Sequence, residues 1–208
     1  MGSFPLVTIG VTGRYCAGKT TVAEILAAHG YLHIDVDAVG HRALAELEDR
    51  VVDRFGPEIR HPTGGIDRKA LGRIVFADSA ELRALEDIVH PRMVEIVIEE
   101  SRTARDSVVN AALLFRMRLD AICDRVIWVS APLVVRVFRA MKRDGLSLGA
   151  VRQRMRSQTD LAAQLSSSSV DIYTVRNTGN ARRLESRLSR VPGVIRARNG
   201  ENGRYDGK

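Results

Sequence analysis

A segment of eight residues, from position 13 to position 20, constrains the fold of this chain more than any other feature. It reads Gly-Arg-Tyr-Cys-Ala-Gly-Lys-Thr and matches the pattern G-x-x-x-x-G-K-[ST] in full. An apolar run precedes it and an amphipathic run follows it, as expected where a buried strand leads through a loop into a helix. Glycines at these positions allow backbone N–H groups to turn inward around a phosphate at the positive end of the helix. The segment therefore predicts a phosphate-binding loop (P-loop) between a first strand and a first helix.

The side chains of this segment indicate that the bound phosphates belong to a nucleoside triphosphate. Lys19 is placed to bridge the β- and γ-phosphates, and the hydroxyl group of Thr20 is placed to hold Mg²⁺. We therefore expect ATP as co-substrate and Mg²⁺ as cofactor. Phosphate contacts are expected from the residues that form the loop and open the helix, namely Gly13, Cys16, Ala17, Gly18, Lys19, Thr20 and Thr21.

Short β-branched runs alternate with helical patterns along the chain, which indicates a parallel sheet covered by helices on both faces. The first helix is expected from about residue 18 to about residue 29, with Gly30 as its stop signal. The predicted fold class is therefore α/β, with a five-stranded parallel sheet flanked by helices. Its strands are expected at residues 6–11, 31–35, 107–113, 125–129 and 172–175.

Two long excursions interrupt the predicted sheet. The first, at about 38–105, has helical spacing at 38–55, 68–76 and 80–102, and it is too large for a simple crossover, so we expect an inserted helical lobe that binds the acceptor. The second, at about 132–169, holds two arginine-rich helical segments. We interpret residues 1–196 as one domain with its core at about 5–37, 106–131 and 170–192, and residues 197–208 as a disordered tail.

The second predicted strand ends in the sequence Ile34-Asp35-Val36-Asp37. This position places two carboxylates at the carboxyl edge of the sheet, where the ligands of open α/β sheets bind. A carboxylate at this edge can accept a hydroxyl proton or support a metal ion, so we expect Asp35 or Asp37 to assist Thr20 with Mg²⁺ through water. Alternatively, Asp37 caps a helix that begins at residue 38, and the two roles are compatible.

The formal net charge of +7 is unevenly distributed. Residues 1–130 carry 16 basic and 19 acidic side chains, which gives −3, whereas residues 131–208 carry 16 basic and 6 acidic side chains, which gives +10. Only four of the 32 basic residues are lysine, and arginine binds phosphate oxygens in bidentate fashion. The basic end is thus either a phosphate-binding surface or a solvated tail. Neither an aromatic stacking platform nor a recognition motif accompanies the charge, so no nucleic acid partner is expected.

The composition is typical of an ordinary globular protein in a reducing compartment. The longest apolar stretches have the length of a strand, far below the ~20 residues of a membrane helix. The N-terminus lacks the positively charged region of a signal peptide. The two cysteines, Cys16 and Cys123, make no disulfide framework. We therefore expect a cytoplasmic protein with no membrane partner, and we predict no particular oligomeric state.

The sequence GVTGRYCAGKTTVAEILAAHGYLHIDVDAVGH at residues 10–41 resembles the opening of dephospho-CoA kinases, which typically read GLTGGIGSGKSTVA and then VIDAD. The resemblance extends over residues 6–188 and implies a P-loop kinase of three parts: a nucleotide core, an inserted acceptor lobe and a basic lid. It also implies a reaction, the ATP-dependent phosphorylation of the ribose 3′-hydroxyl of dephospho-CoA, which is the last step of coenzyme A biosynthesis. Beyond the opening, the matching segments are 65–71, 74–76, 85–91, 139–144 and 177–179, together with Gln158.

The resemblance further implies roles for residues around the transferred phosphoryl group. It implies that Asp37 is the catalytic base toward the ribose 3′-hydroxyl, with Lys19 and Arg143 as its catalytic partners. It makes the segment at about 132–169 the lid and places Arg139 and Arg143 of this segment near the triphosphate or the adenine. This agrees with the residues themselves, because helical spacing sets the basic side chains of this segment on one face, namely Arg136, Arg139, Lys142 and Arg143.

On the acceptor side, the resemblance implies that His90 lies near the acceptor. The dipeptide His90-Pro91 is by itself also typical of a helix start, with proline at the first position. Arg68 belongs to the same predicted lobe, where its side chain can contact a phosphate of the acceptor or remain in solvent.

The chain departs from the family pattern in its third strand, in its P-loop and before its last strand, where Val170-Asp171 lies one residue out of register with the family's Ala-Asp. Its third strand ends in Ala112-Leu113-Leu114-Phe115-Arg116 where the family reads PLLFE, so a cation replaces an acid and no aspartate follows this strand as a metal partner. In the P-loop, Tyr15 occupies a position where small residues are usual, and we expect it to crowd the mouth of the site. Two alternatives therefore stay open: a small-molecule P-loop kinase with a nucleotide or sugar acceptor, and a catalytically weak nucleotide-binding protein whose basic end docks an acidic partner.

Overall fold

The computed structural model describes residues 7–145, 147–156 and 168–195. Its five strands form one sheet in the order β2-β3-β1-β4-β5, and every neighbouring pair is parallel. The predicted α/β class with five parallel strands is confirmed. The strands are β1 at Val7–Gly13, β2 at Leu32–Asp35, β3 at Asp106–Asn110, β4 at Arg125–Ser130 and β5 at Ile172–Arg176.

Helices cover both faces of the sheet and lie mostly in the connections between its parallel strands. α1 (Lys19–Ala28) follows the P-loop and ends before Gly30, whose φ of 96° terminates the helix in a conformation that glycine adopts readily. The helices between β2 and β3 are α2 (Val36–Glu46), α3 (Glu48–Phe55), α4 (Arg68–Ala77) and α5 (Ser79–Ser101), and those after β4 are α6 (Leu133–Asp144), α7 (Leu148–Arg156) and α8 (Ala181–Leu188). Two short 3₁₀ helices lie at Pro57–Ile59 and Leu119–Ile122.

The central strands are buried on both faces, as the alternation of their side chains requires. Val108 of β3 packs in a cluster with Leu26 of α1 and Leu184 of α8. The next residue, Val109, packs in a second cluster with Val39 of α2 and other residues of the helices between β2 and β3. The sheet is therefore a layer between two hydrophobic cores. Among the residues that the structure describes, no helix is long and apolar enough to cross a membrane.

The region predicted as a single helix at 38–55 forms two helices, α2 and α3, separated at Leu47. The first of them begins earlier than expected, because the carboxylate of Asp35 accepts a hydrogen bond from the backbone N–H of Asp37 at 3.1 Å. The alternative role of Asp37 as a helix cap is therefore wrong. Asp35 caps α2, and Asp37 lies inside its first turn.

Pro91 lies inside α5, so the interpretation of His90-Pro91 as a helix start is wrong. Proline removes one backbone hydrogen bond within the helix. The helix continues through it because α5 buries Val89, Met93 and Val97 on both sides of the proline, against the core that it shares with α2.

The third strand was expected to reach residue 113 but ends at Asn110. The residues after it form turns in which Leu114, Phe115 and Met117 are nevertheless buried, and their apolar character explains the longer prediction. Gln158 and the predicted tail at 197–208 lie outside the described residues.

Candidate active site

The main cavity of the described residues has a volume of about 840 Å³ and opens where β2 and β3 end beside the P-loop. Strand register explains its location, because Asn110 at the end of β3 is opposite both Asp35 of β2 and Val11 of β1. The P-loop follows β1, so it emerges beside these two polar residues. The cavity contains most of the predicted site residues, namely Cys16, Gly18, Lys19, Thr20, Thr21, Asp35, Asp37, Arg139 and Arg143.

The path of the P-loop depends on two glycines. Gly13 has a φ of 148°, and a Cβ atom there would lie 2.2 Å from the carbonyl oxygen of Val129 in β4. Gly18 has a φ of 95°, and a Cβ atom there would lie 2.1 Å from Nδ2 of Asn177. Gly18 is also the N-cap of α1, so the loop runs directly into the positive end of that helix. This is the backbone geometry that a phosphate-binding loop needs.

Lys19 lines the cavity and is largely buried. Its Nζ atom donates a hydrogen bond to the carbonyl oxygen of Gly13 at 3.3 Å. Burial lowers the pKa of Lys19, the carboxylate of Asp37 acts in the opposite direction, and the charge of Arg143 acts with the burial. A phosphate in the cavity would compensate the ammonium group for its lost hydration.

Several residues that line the cavity carry side-chain oxygen atoms, namely Thr20, Asp35, Asp37 and Asn110. Mg²⁺ prefers oxygen ligands and is commonly held by one or two carboxylates with phosphates and water. Within residues 7–145, 147–156 and 168–195 no group of three or more His, Cys, Asp and Glu residues could hold a metal ion alone. This donor set fits a Mg²⁺ ion that arrives with a nucleotide.

Asn177 is a site residue that the sequence interpretation did not name individually. It is buried, and its Nδ2 atom donates to the carbonyl oxygen of Ala17 at 2.9 Å. Arg139 of α6 donates to the same carbonyl oxygen at 3.1 Å through Nη1, and its Nη2 atom lies 3.4 Å from both oxygens of Asn177. The signal that could have identified Asn177 is the segment 177–179, which was noted only as part of the resemblance.

The basic residues of α6 face the P-loop. Arg143 donates to Asp144 at 2.7 Å from Nε and 3.1 Å from Nη2, and its hydrogen bond to Asp144 raises its pKa. Lys142 also lines the cavity. Arg136 is buried and donates to the carbonyl oxygen of Tyr15 at 3.4 Å, and its burial lowers its pKa. Three basic side chains of α6, those of Arg139, Lys142 and Arg143, therefore line the same cavity as Asp37.

Two predicted acceptor residues lie outside this cavity. Arg68 is exposed at the start of α4, beside a smaller cavity of about 330 Å³ that it shares with His41 and Gly65. His90 lies half-buried on α5, next to Glu86 and Arg116. Burial lowers the pKa of His90, the charge of Glu86 opposes this effect, and that of Arg116 adds to it.

Arg116 forms an ion pair with Glu86 and does not line the main cavity. The cation at this position is thus paired with a carboxylate of α5, outside the main cavity.

The parallel sheet, the glycine-dependent loop at the start of α1 and the basic helix over it define a P-loop kinase. A model of the dephospho-CoA kinase family matches residues 7–182 of the chain. The chain belongs to the dephospho-CoA kinase family.

Individual relatives agree with this assignment. A dephospho-CoA kinase of Moorella thermoacetica is 39% identical over 166 residues, which cover 76% of this chain and 78% of the relative. A crystal structure from Thermus thermophilus is 34% identical, with a TM-score of 0.74 and coverage of 89% of this chain and 96% of that one. The structure of dephospho-CoA kinase from Campylobacter jejuni is 26% identical, with a TM-score of 0.61 and coverage of 86% and 92%.

Proposed function

We propose that this protein transfers the γ-phosphoryl group of ATP to the ribose 3′-hydroxyl of dephospho-CoA, the last step of coenzyme A biosynthesis. One observation carries the proposal: Lys19, Thr20 and Asp37 line a single cavity at the carboxyl edge of the sheet. The membership of the chain in the dephospho-CoA kinase family supports the choice of acceptor.

Phosphoryl transfer requires cations around the transferred group and a site closed to water. Lys19 is proposed to contact the β- and γ-phosphates from below, where burial has already removed much of its hydration. Arg139 and Arg143 are proposed to contact the triphosphate from above, because both line the cavity on α6. In this proposal α6 and α7 belong to the lid at about 132–169, which covers bound ATP.

Asp37 is proposed as the general base. Its carboxylate would accept the proton of the ribose 3′-hydroxyl while the ribose oxygen forms a bond to the γ-phosphorus. The bond between the γ-phosphorus and the bridging oxygen breaks at the same stage, and ADP leaves. Because Asp35 caps α2, Asp37 is held in the first turn of that helix and its carboxylate needs no other structural role.

Mg²⁺ is proposed as the cofactor, bound with ATP. Thr20 would hold it directly, and Asp35 or Asp37 would support it through water, as the oxygen donors of the cavity wall allow. When bound, the ion neutralises charge that develops on the phosphate oxygens.

The helices α2 to α5 are proposed to form the acceptor-binding lobe. They fill the connection between β2 and β3, and this lobe carries Arg68 and His90. Since neither residue lines the cavity, each would contact a distant part of the acceptor rather than its reacting hydroxyl group. We also propose a cytoplasmic location, consistent with two free, buried cysteines, Cys16 and Cys123.

The proposal is tested by incubating the protein with ATP, Mg²⁺ and dephospho-CoA and resolving the products by mass. A product heavier by one phosphoryl group, located on the ribose 3′-oxygen by fragmentation, is expected. A panel of nucleosides, nucleotides and sugars under the same conditions serves as the comparison. Turnover of a panel member in preference to dephospho-CoA would establish a different acceptor, and ATP binding without any turnover would establish a nucleotide-binding protein.

A further inference from the structure

Tyr15 connects the P-loop to the end of α6. Its hydroxyl group donates a hydrogen bond to the carboxylate of Asp144, the last residue of α6. The same carboxylate accepts the two hydrogen bonds from Arg143. The guanidinium group of Arg143 in turn lies over the Tyr15 ring, 5.6 Å from its centroid. Each of the three side chains thus contacts the other two, and together they join the loop to the helix.

Earlier turns of α6 contact the same loop. Arg136 donates to the carbonyl oxygen of Tyr15, so this residue binds the helix through its backbone as well as its side chain. The neighbouring Cys16 packs in a small buried cluster with Ala140 of α6 and Val151 of α7. Both helices are therefore in contact with the P-loop.

We propose that Tyr15 is a positioning residue: through Asp144 it holds Arg143 at the mouth of the main cavity and keeps α6 against the P-loop before a nucleotide binds. This inference rests on the proposed function, in which α6 covers ATP. It also gives a role to a bulky residue that the sequence suggested would only crowd the mouth of the site.

The expected effect of Tyr15 is on nucleotide affinity. If α6 already packs against the P-loop, ATP binding does not have to order this helix. The ordering cost then does not weaken the binding of ATP. The hydrogen bond from Tyr15 to the carboxylate of Asp144 and the cation–π contact of Arg143 with the Tyr15 ring both restrict the orientation of these side chains. Once ATP is bound, its phosphates attract Arg143 directly, so the contribution of Tyr15 to the transition state is small.

The test is Tyr15→Phe, which keeps the aromatic ring and removes the hydroxyl group. We expect ATP affinity measured by calorimetry to fall by about three- to tenfold. Hydrogen exchange over residues 133–144 should be faster than in the wild type without ATP and equal to it at saturating ATP. In turnover assays KM for ATP should rise by a similar factor, kcat should stay within about twofold, and KM for dephospho-CoA should not change.

Tyr31→Phe is a matched control, because the Tyr31 hydroxyl group donates to the carbonyl oxygen of Val194 at 2.8 Å and does not line the main cavity. That variant should lose stability but keep its ATP affinity. In an Asp144→Ala background, Tyr15→Phe should have no further effect on ATP affinity, since the two side chains act together. Additive effects of the two substitutions would overturn the proposal.

Two further outcomes would overturn it. If ATP affinity and hydrogen exchange are both unchanged in Tyr15→Phe, Tyr15 does not position α6. Tighter ATP binding would show that Tyr15 restrains Arg143 instead of presenting it. Calorimetry and hydrogen exchange require no acceptor, so these results stand even if dephospho-CoA proves not to be the substrate, and a missing kinase activity would count against the proposed function alone.

Discussion

The side-chain amide of Asn177 donates a hydrogen bond to the carbonyl oxygen of Ala17, 160 positions earlier in the chain, at 2.9 Å. The guanidinium group of Arg139 donates to the same oxygen at 3.1 Å. One backbone atom of the P-loop is therefore held by two side chains, one after β5 and one in α6. Because Ala17 directly precedes Gly18 and Lys19, these bonds fix the loop where it enters α1.

Asn177→Ala is expected to loosen this part of the loop. The substitution leaves a cavity at a buried position and removes one of the two hydrogen bonds to Ala17, so the free energy of unfolding should fall by about 1–2 kcal/mol. ATP affinity should fall by roughly three- to tenfold, because the loop backbone must be ordered when the phosphates bind. Urea denaturation and calorimetric titration measure the two effects. Reduced stability with unchanged ATP affinity would limit Asn177 to a structural role.

Gly18→Ala and Gly30→Ala form a matched pair. Gly18 has a φ of 95° and Gly30 a φ of 96°, so alanine meets the same backbone cost of about 1–2 kcal/mol at either position. A Cβ atom at Gly30 would have no neighbour within 4 Å, whereas one at Gly18 would overlap Nδ2 of Asn177. We expect Gly30→Ala to lower stability alone and Gly18→Ala to lower ATP affinity by at least about tenfold as well. Equal ATP affinity in the two variants would contradict this account of the loop.

The parts of the site that could be predicted are those determined by a short stretch of sequence. The P-loop is a contiguous motif, and Asp37 follows a strand whose carboxyl end must lie at the ligand-binding edge. Asn110 and Asn177 could not be identified in the same way. Asn110 enters the site because β3 lies between β2 and β1, and Asn177 because β5 lies beside β4. Strand order is a property of the whole fold and cannot be predicted from the hydrophobic periodicity along the chain.

The predicted boundaries of helices and strands were wrong where local sequence preferences and tertiary packing disagree. The apolar residues 111–115 continue the pattern of β3, but the chain turns after Asn110 and buries Leu114 in the core instead. Pro91 is typical of a helix start, yet the buried face of α5 extends on both sides of it. In both cases tertiary packing outweighed the local signal.

Lys19→Ala should abolish most of the catalytic activity. The ammonium group is expected to stabilise charge on the β- and γ-phosphate oxygens in the transition state, so turnover should fall by at least ~100-fold. The fold should survive, because removing a buried charge also removes its desolvation penalty. Steady-state kinetics and thermal denaturation check both statements. A variant with normal turnover and normal ATP affinity would show that the assignment of the phosphate-binding loop is wrong.

Arg116 is expected to control the titration of His90. A positive charge near an imidazole disfavours its protonated form, so Arg116→Gln should raise the pKa of His90 above its value in the wild type. Because the folded-state pKa lies below 6.5, the wild type should lose stability as the pH falls below 6.5, and the variant should lose less. Titration of the His90 ring signals by NMR and denaturation at several pH values measure this. Arg83→Gln, at an exposed position of the same helix, should leave the pKa unchanged, and an unchanged pKa in Arg116→Gln would refute the electrostatic coupling.

Asp37→Asn tests the chemical step. The substitution preserves size and removes the carboxylate, so ATP affinity should stay within a few-fold while kcat falls by roughly 10²–10⁴, the range for a general base. A loss confined to kcat would indicate a role in the transition state rather than in ground-state binding.

Asp35→Asn is the control for Asp37, because asparagine caps a helix about as well as aspartate and the cap of α2 should survive. If Asp35 only caps the helix, this variant should keep nearly full turnover. If it supports Mg²⁺, the concentration of Mg²⁺ needed for half-maximal turnover should rise while saturated turnover is restored, since the carboxylate would act through the ion. A fully active Asp37→Asn enzyme together with an inactive Asp35→Asn enzyme would transfer the role of base to Asp35, since both carboxylates line the same cavity.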